Sequence, residues 1–224
     1  MKYLFFFIST FTFAQQTQFV DFKSVLGKIA INPIEKTVSG DVDYDFDVLK
    51  SIDTIKIDAQ NMEFSDLKLN GKSIKFLNTQ KQLQIIFPFK KGKNNLTFQY
   101  SAKPKQTMYF IGSEANDNIQ IWTQGQGKYT SHWFPSFDDV NEKVIFNLNI
   151  VYNKDYQVIS NGVLKFKSGL DGLSVWQYQM QKPMSSYLLM LAIGKFEKNI
   201  QKSKSGIPLE MYLEPKDATK FEST

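Results

Sequence analysis

Gln124 and Gln126 are the pair of residues whose type and spacing best suit recognition of a ligand. On an extended segment, side chains two apart point to the same face, so the two amides can converge on one spot. Each offers a carbonyl acceptor and two N–H donors. The plainer reading is two polar residues capping a glycine-flanked loop, since Gly125 and Gly127 interleave with them. Exposed loops carry sites disproportionately, which favours the recognition reading. His132 draws attention because it is the single histidine, but it sits between Ser131 and Trp133 in a chain without cysteine. Ligation or proton transfer needs partners, so a structural histidine is expected. Ser136 has no general base or oxyanion loop behind it. Asp138 and Asp139 are adjacent carboxylates that offer a catalytic pair. Asp41, Asp43, Asp45 and Asp47 superficially suggest a calcium loop, but they lack its mid-loop glycine and terminal glutamate. On a straight strand they spread along one face, where they discourage edge pairing. Trp133, Phe134 and Phe137 offer either a sugar-stacking platform or core and interface packing; the second is expected of large aromatics.

The elements that must hold these residues are strands. Val42, Tyr44, Phe46 and Val48 alternate with the four aspartates, the pattern of a strand with one wet face. Leu83, Ile85, Phe87 and Phe89 repeat it, as do Leu96, Phe98 and Tyr100, and the longest run is Val144, Phe146, Leu148, Ile150 and Tyr152. Asn70-Gly71, Lys91-Gly92, Asn161-Gly162 and Asp171-Gly172 punctuate the runs as turns. Pro88 within a strand pattern predicts an edge or a bulge. Only the segment from Lys216 onward suits the start of a helix. Short strands spaced about ten residues apart predict an all-β antiparallel sandwich in one domain over 15–215.

Residues 1–14 read as a secretory signal peptide: Lys2 is followed by an apolar run from Tyr3 to Phe13, with cleavage expected near Ala14. The run is shorter than the about 20 residues a membrane-spanning helix needs, so no membrane span is expected. Export to the periplasm or the extracellular space follows. Removing 14 residues from 224 leaves 210, enough to bury roughly 70% of the unfolded surface. With no cysteine, packing alone must hold an exported chain and no thiolate metal site can form. The net charge of +5 is scattered among acidic residues rather than gathered on one face, which argues against nucleic acid as a partner.

The stretch from Ile121 to Phe196 is more specific than any periodicity. Gln124-Gly125-Gln126 precedes Phe134-Pro135-Ser136-Phe137-Asp138, followed by Lys143, Ser160-Asn161-Gly162, Trp176, Pro183, Tyr187 and Gly194-Lys195-Phe196. Upstream lie Ile57-Asp58-Ala59 and Asn70-Gly71. In this order and spacing the chain resembles the N-terminal domain of the aminopeptidase N family of zinc metallopeptidases, the gluzincin aminopeptidases that include leukotriene hydrolase. The resemblance implies a saddle-shaped β-sandwich packed against a catalytic domain of the same or an adjacent polypeptide. It also implies that Gln124 and Gln126 hold the N-terminal residue of a peptide substrate. Where many members carry glutamate at the second position, this chain has Gln126, which replaces a carboxylate facing an ammonium with a neutral carbonyl oxygen.

In the family the next domain carries Gly-x-Met-Glu-Asn and then H-E-x-x-H, with zinc. One histidine cannot supply the two ligands of that motif. No catalytic residue and no metal site is therefore expected in this chain, and zinc is expected in the missing domain, with 216–224 as its beginning. The competing expectation is an exported β-sandwich module that binds peptide, glycan or protein without catalysis. A segment encoding H-E-x-x-H downstream separates the two. A third possibility, an unrelated structural sandwich, follows from the fact that fold alone does not fix function.

Overall fold

A computed structural model describes residues 15–112 and 119–223, so the expected signal peptide lies outside the described residues. The chain runs through β1 (Val20–Asn32), β2 (Thr37–Val48), β3 (Ile52–Asp58), β4 (Met62–Leu69), β5 (Lys72–Ser73) and β6 (Phe76–Asn78). It continues with β7 (Gln82–Phe89), β8 (Gly92–Ala102), β9 (Met108–Ile111), β10 (Gln120–Thr123), β11 (Lys143–Asn153) and β12 (Gln157–Ser160). The last are β13 (Val163–Leu170), β14 (Leu173–Gln179), β15 (Met184–Ser185), β16 (Leu191–Gly194), β17 (Glu197–Lys202) and β18 (Pro208–Leu213). The all-β expectation holds. The segment expected to open a helix is a 3-10 turn, Pro215–Ser223.

The alternation read in the sequence sets the layers. Along β2 the apolar set is buried while Asp41, Asp43 and Asp45 are exposed, and all five apolar residues of β11 point inward. The large sheet runs β13-β14-β11-β1-β2-β8-β4-β5, with β15 pairing β11. Two smaller sheets, β3-β7-β6 and β12-β16-β10-β9, contribute Ile55, Leu83, Ile121 and Ile193 to the same buried cluster as Phe22, Phe46 and Phe146 of the large sheet. Sheet packs on sheet through one continuous core. Asn70-Gly71 and Asp171-Gly172 each close a two-residue hairpin with both φ values positive, the backbone twist that suits flanking strands.

Two features depart from simple alternation. Phe87 is exposed although Leu83, Ile85 and Phe89 are buried. The β3–β7 register slips between Ile52 and Thr54, opposite Phe87 and Pro88. An extra residue there turns Phe87 outward, the irregularity that Pro88 predicts. The second is pairing direction: β1 and β11 are parallel from Ser24↔Ile145 to Ala30↔Val151. That single junction welds the N-terminal hairpins to the β11–β14 half and places the segment 124–142, which leads into β11, beside the start of β1.

Candidate functional site

Strand β10 ends at Thr123, where the Thr123 hydroxyl accepts from Leu191 N at 2.9 Å. Gln124 follows with its N–H bonded to Thr107 O at 2.8 Å. Gln126 already belongs to the next turn. Neither glutamine lies in a strand, so strand geometry does not place both amides on one face. The structure brings them together in another way: both are exposed, on either side of a buried Gly125. A Cβ on Gly125 would lie 2.6 Å from Thr130 Oγ1 and 2.7 Å from the Tyr187 carbonyl oxygen, so only glycine lets the chain pass. Thr130 Oγ1 in turn donates to Ser186 O at 2.8 Å, fastening the loop to the segment after β15.

Beneath the loop, Trp133, Phe134 and Phe137 are buried, which removes the sugar-platform reading and bears out packing. Phe137 meets the ring of Phe22 at 4.4 Å, and Tyr44 donates its hydroxyl hydrogen to Pro135 O at 2.7 Å. Asp58 clamps the segment from the other side. Its backbone exchanges two hydrogen bonds with Ser136, at 2.8 and 3.0 Å. Its carboxylate accepts from Asp138 N at 2.8 Å and from Gln82 Nε2 at 2.9 Å. Ile57-Asp58-Ala59 and Phe134-Pro135-Ser136-Phe137-Asp138, separated by about eighty residues, thus form one unit. The sequence shows both motifs but not that one clamps the other.

The titratable groups of this segment are held by packing and hydrogen bonds. Asp138 is pushed up to about 6, first by burial and then by the Asp58 carboxylate, against a hydrogen bond from Ser131 Oγ at 3.2 Å and the charge of Lys128. Burial lowers His132, whose Nε2 lies 2.9 Å from Gln106 Nε2. An amide donor at that nitrogen suits a neutral imidazole, and among the described residues no carboxylate is hydrogen-bonded to it. Ser136 Oγ is buried without a partner. Asp139 accepts from Asn141 and closes a turn. Among the described residues no group of three or more His, Asp or Glu is placed to hold a metal ion. A zinc centre does not fit this set of residues.

Exposed apolar residues flank this loop in the chain and in its neighbouring elements: Tyr129 on the loop, Tyr187 and Leu188 after β15, and Tyr109 with Trp122 on β9 and β10. The Tyr109 and Trp122 rings are 4.5 Å apart. Both lie in short strands whose inward residues are Met108 and Ile121, so period-two alternation does place them outside. On the same strand Gln120 donates to Glu214, bringing the end of the described chain to this face.

The model of the peptidase M1 N-terminal domain matches residues 26–188, which is 163 of the 224 residues and includes both clamped motifs and the Gln124–Gln126 loop. The chain belongs to the peptidase M1 N-terminal domain family. Among its relatives, probable aminopeptidase 1 of Sulfurisphaera tokodaii is 26% identical over 151 residues, covering 67% of this chain and 19% of that protein. Glutamyl aminopeptidase of Bos taurus is 34% identical over 85 residues, covering 37% of this chain and 9% of that protein. The M1 zinc metallopeptidase of Deinococcus radiodurans superposes with a TM-score of 0.74 at 14% identity, over 87% of this chain and 47% of that one. This likeness shows a shared fold. The chain spans about a fifth of the length of relatives such as the Sulfurisphaera protein.

Proposed function

We propose that this M1 N-terminal domain is the non-catalytic wall of the substrate cleft in a zinc aminopeptidase that removes N-terminal residues from peptides. The observation that carries the reading is the exposed Gln124–Gln126 pair, held on a glycine that cannot be replaced and backed by the Asp58–Asp138 clamp. In this role the two amides bond the α-amine and first peptide group of the substrate. The catalytic domain covers the Tyr109–Trp122 face, and its zinc supplies the activated water. The contact between Gln120 and Glu214 supports this placement, because it directs the chain leaving β18 toward the same face. The leader-like residues 1–14 support export, with the enzyme acting in the periplasm or outside the cell.

The test joins this domain to the catalytic domain of an archaeal relative. The unjoined domain with added zinc is expected to release no amine from aminoacyl substrates, because it has a single histidine. In the joined protein, Gln124→Ala is expected to raise KM severalfold with little change in kcat. Gln126→Glu is expected to improve kcat/KM by up to about tenfold, since a charge-assisted bond to an ammonium is about twice as strong as a neutral one and desolvation takes back part of the gain. A substrate with a blocked amine must show no gain from Gln126→Glu. Equal responses of blocked and free substrates would make the loop scaffolding only.

A further inference from the structure

Gln15 and Gln16 begin the described fold, and the structure uses them differently. Gln16 places its side-chain amide against the outer edge of β3: its Nε2 donates to Lys56 O at 2.9 Å, and its Oε1 accepts from Lys56 N at 2.7 Å. One side chain thus fills a ladder position on an open strand edge, where unpaired groups invite association. Gln15 contributes only its carbonyl oxygen, which accepts from Gln18 N at 3.0 Å. Its side chain is exposed and makes no capping bond. Among the described residues the fold needs neither the nitrogen nor the side-chain amide of Gln15, and it needs both polar atoms of the Gln16 side chain.

We propose that Gln15 is a modification site: once the leader is removed after Ala14, Gln15 cyclises to an N-terminal pyroglutamyl residue. This rests on the export reading. A leader peptidase hydrolyses the Ala14–Gln15 bond and frees the Gln15 α-amine. That nitrogen attacks the Gln15 side-chain carbonyl carbon, Cδ. The new N–Cδ amide bond forms as the Cδ–Nε2 bond breaks, a proton passes to the departing nitrogen, and ammonia leaves. The ring consumes only the two groups the fold leaves unused and keeps the carbonyl that receives Gln18 N. Cleavage one residue later would put Gln16 in the same position, and cyclisation there would remove the amide that covers Lys56. The structure therefore discriminates between neighbouring glutamines that sequence alone treats as equivalent. The product has no free α-amine, so an aminopeptidase working beside it, including the enzyme this domain serves, cannot trim its way to the Gln16 contact.

The experiment produces the full chain with its own leader in an exporting host and measures the intact mass before any digestion, then the mass of the peptide ending at Lys23. The expected N-terminal peptide runs from residue 15 and lacks the mass of one ammonia in most molecules. A broad-specificity aminopeptidase is expected to leave the protein untouched until a pyroglutamyl peptidase has acted. Gln15→Ala is expected to show a free amine and immediate trimming. An exported protein starting at an open-chain Gln15 overturns the modification and leaves the export reading standing. A mature chain starting elsewhere, or retaining residues 1–14, overturns the leader reading itself.

Discussion

Phe134→Ala lowers the stability of the domain by about 3–5 kcal/mol, the cost of deleting a fully buried aromatic, and lowers Tm by roughly 6–20 °C for a chain of this size. Phe134 is completely buried between the sheets. Its ring meets Tyr100 edge-on at 6.0 Å and Phe146 at 6.3 Å. The cavity left by alanine cannot easily collapse, because the backbone of Phe134 is tied by its N–H to Thr130 O at 3.0 Å. Gly27 adds a second constraint, since a Cβ there would meet Phe134 Cε2 at 2.7 Å. The ring is therefore fitted against bare backbone of β1, where Gly27 has no side chain to fill the space. Thermal unfolding followed by circular dichroism measures the effect. A loss under 1 kcal/mol would show that the loop carrying Gln124 and Gln126 does not depend on this packing. A milder companion, Phe134→Leu, keeps most of the volume and is expected to cost about half as much.

The sequence and the structure agree where physics is local. Alternation along β2, β8 and β11 depends only on which face of each strand meets the core, and the burial of Val42 to Val48, Leu96 to Tyr100 and Val144 to Tyr152 follows from it. Asn-Gly and Asp-Gly turns depend on two residues. The parallel join of β1 to β11 was not legible, because it pairs segments over a hundred residues apart that alternate equally well with any partner. The place of the two glutamines ahead of the Phe-Pro-Ser-Phe-Asp element was legible. Their geometry was not: the period-two argument assumes a strand, and β10 stops one residue short because Gly125 must slip past Thr130 and Tyr187. The Asp58 clamp was likewise hidden. A carboxylate that caps a distant backbone leaves no periodic trace, only an aspartate among apolar residues.

Glu142 predicts the pH dependence of stability. It lies just before β11, almost fully buried at 4% exposure, and its Oε1 accepts from Phe22 N at 3.1 Å. Phe22 pairs with Phe46 of β2 just before the register shift, and the parallel pairing with β11 starts only at Ser24, so the carboxyl takes up a backbone donor ahead of that pairing. Burial pushes Glu142 from 4.5 up to about 7, Asp21 and Asp139 add to the rise, and the Phe22 hydrogen bond and Lys23 oppose it. The folded state therefore holds this proton more tightly than the unfolded chain. Its contribution to stability is complete below about pH 4.5, declines as the pH rises, and is gone above about pH 7. The loss is on the order of 2–3 kcal/mol. Asp138, raised to about 6, adds a slope of the same sign over a lower range. Glu142→Gln keeps an acceptor for Phe22 N and removes the ionisation. Denaturant unfolding at pH 4.5 and pH 8 is expected to show wild type weaker at pH 8. The variant should be nearly equal to wild type at pH 4.5, stronger than it at pH 8, and left with only the smaller slope of Asp138. Glu142→Gln with Asp138→Asn should flatten the remainder. A wild type that is more stable at pH 8 than at pH 4.5 would reverse the sign and mean that Glu142 is ionised in the folded protein and stabilised by Lys23 and the Phe22 N–H.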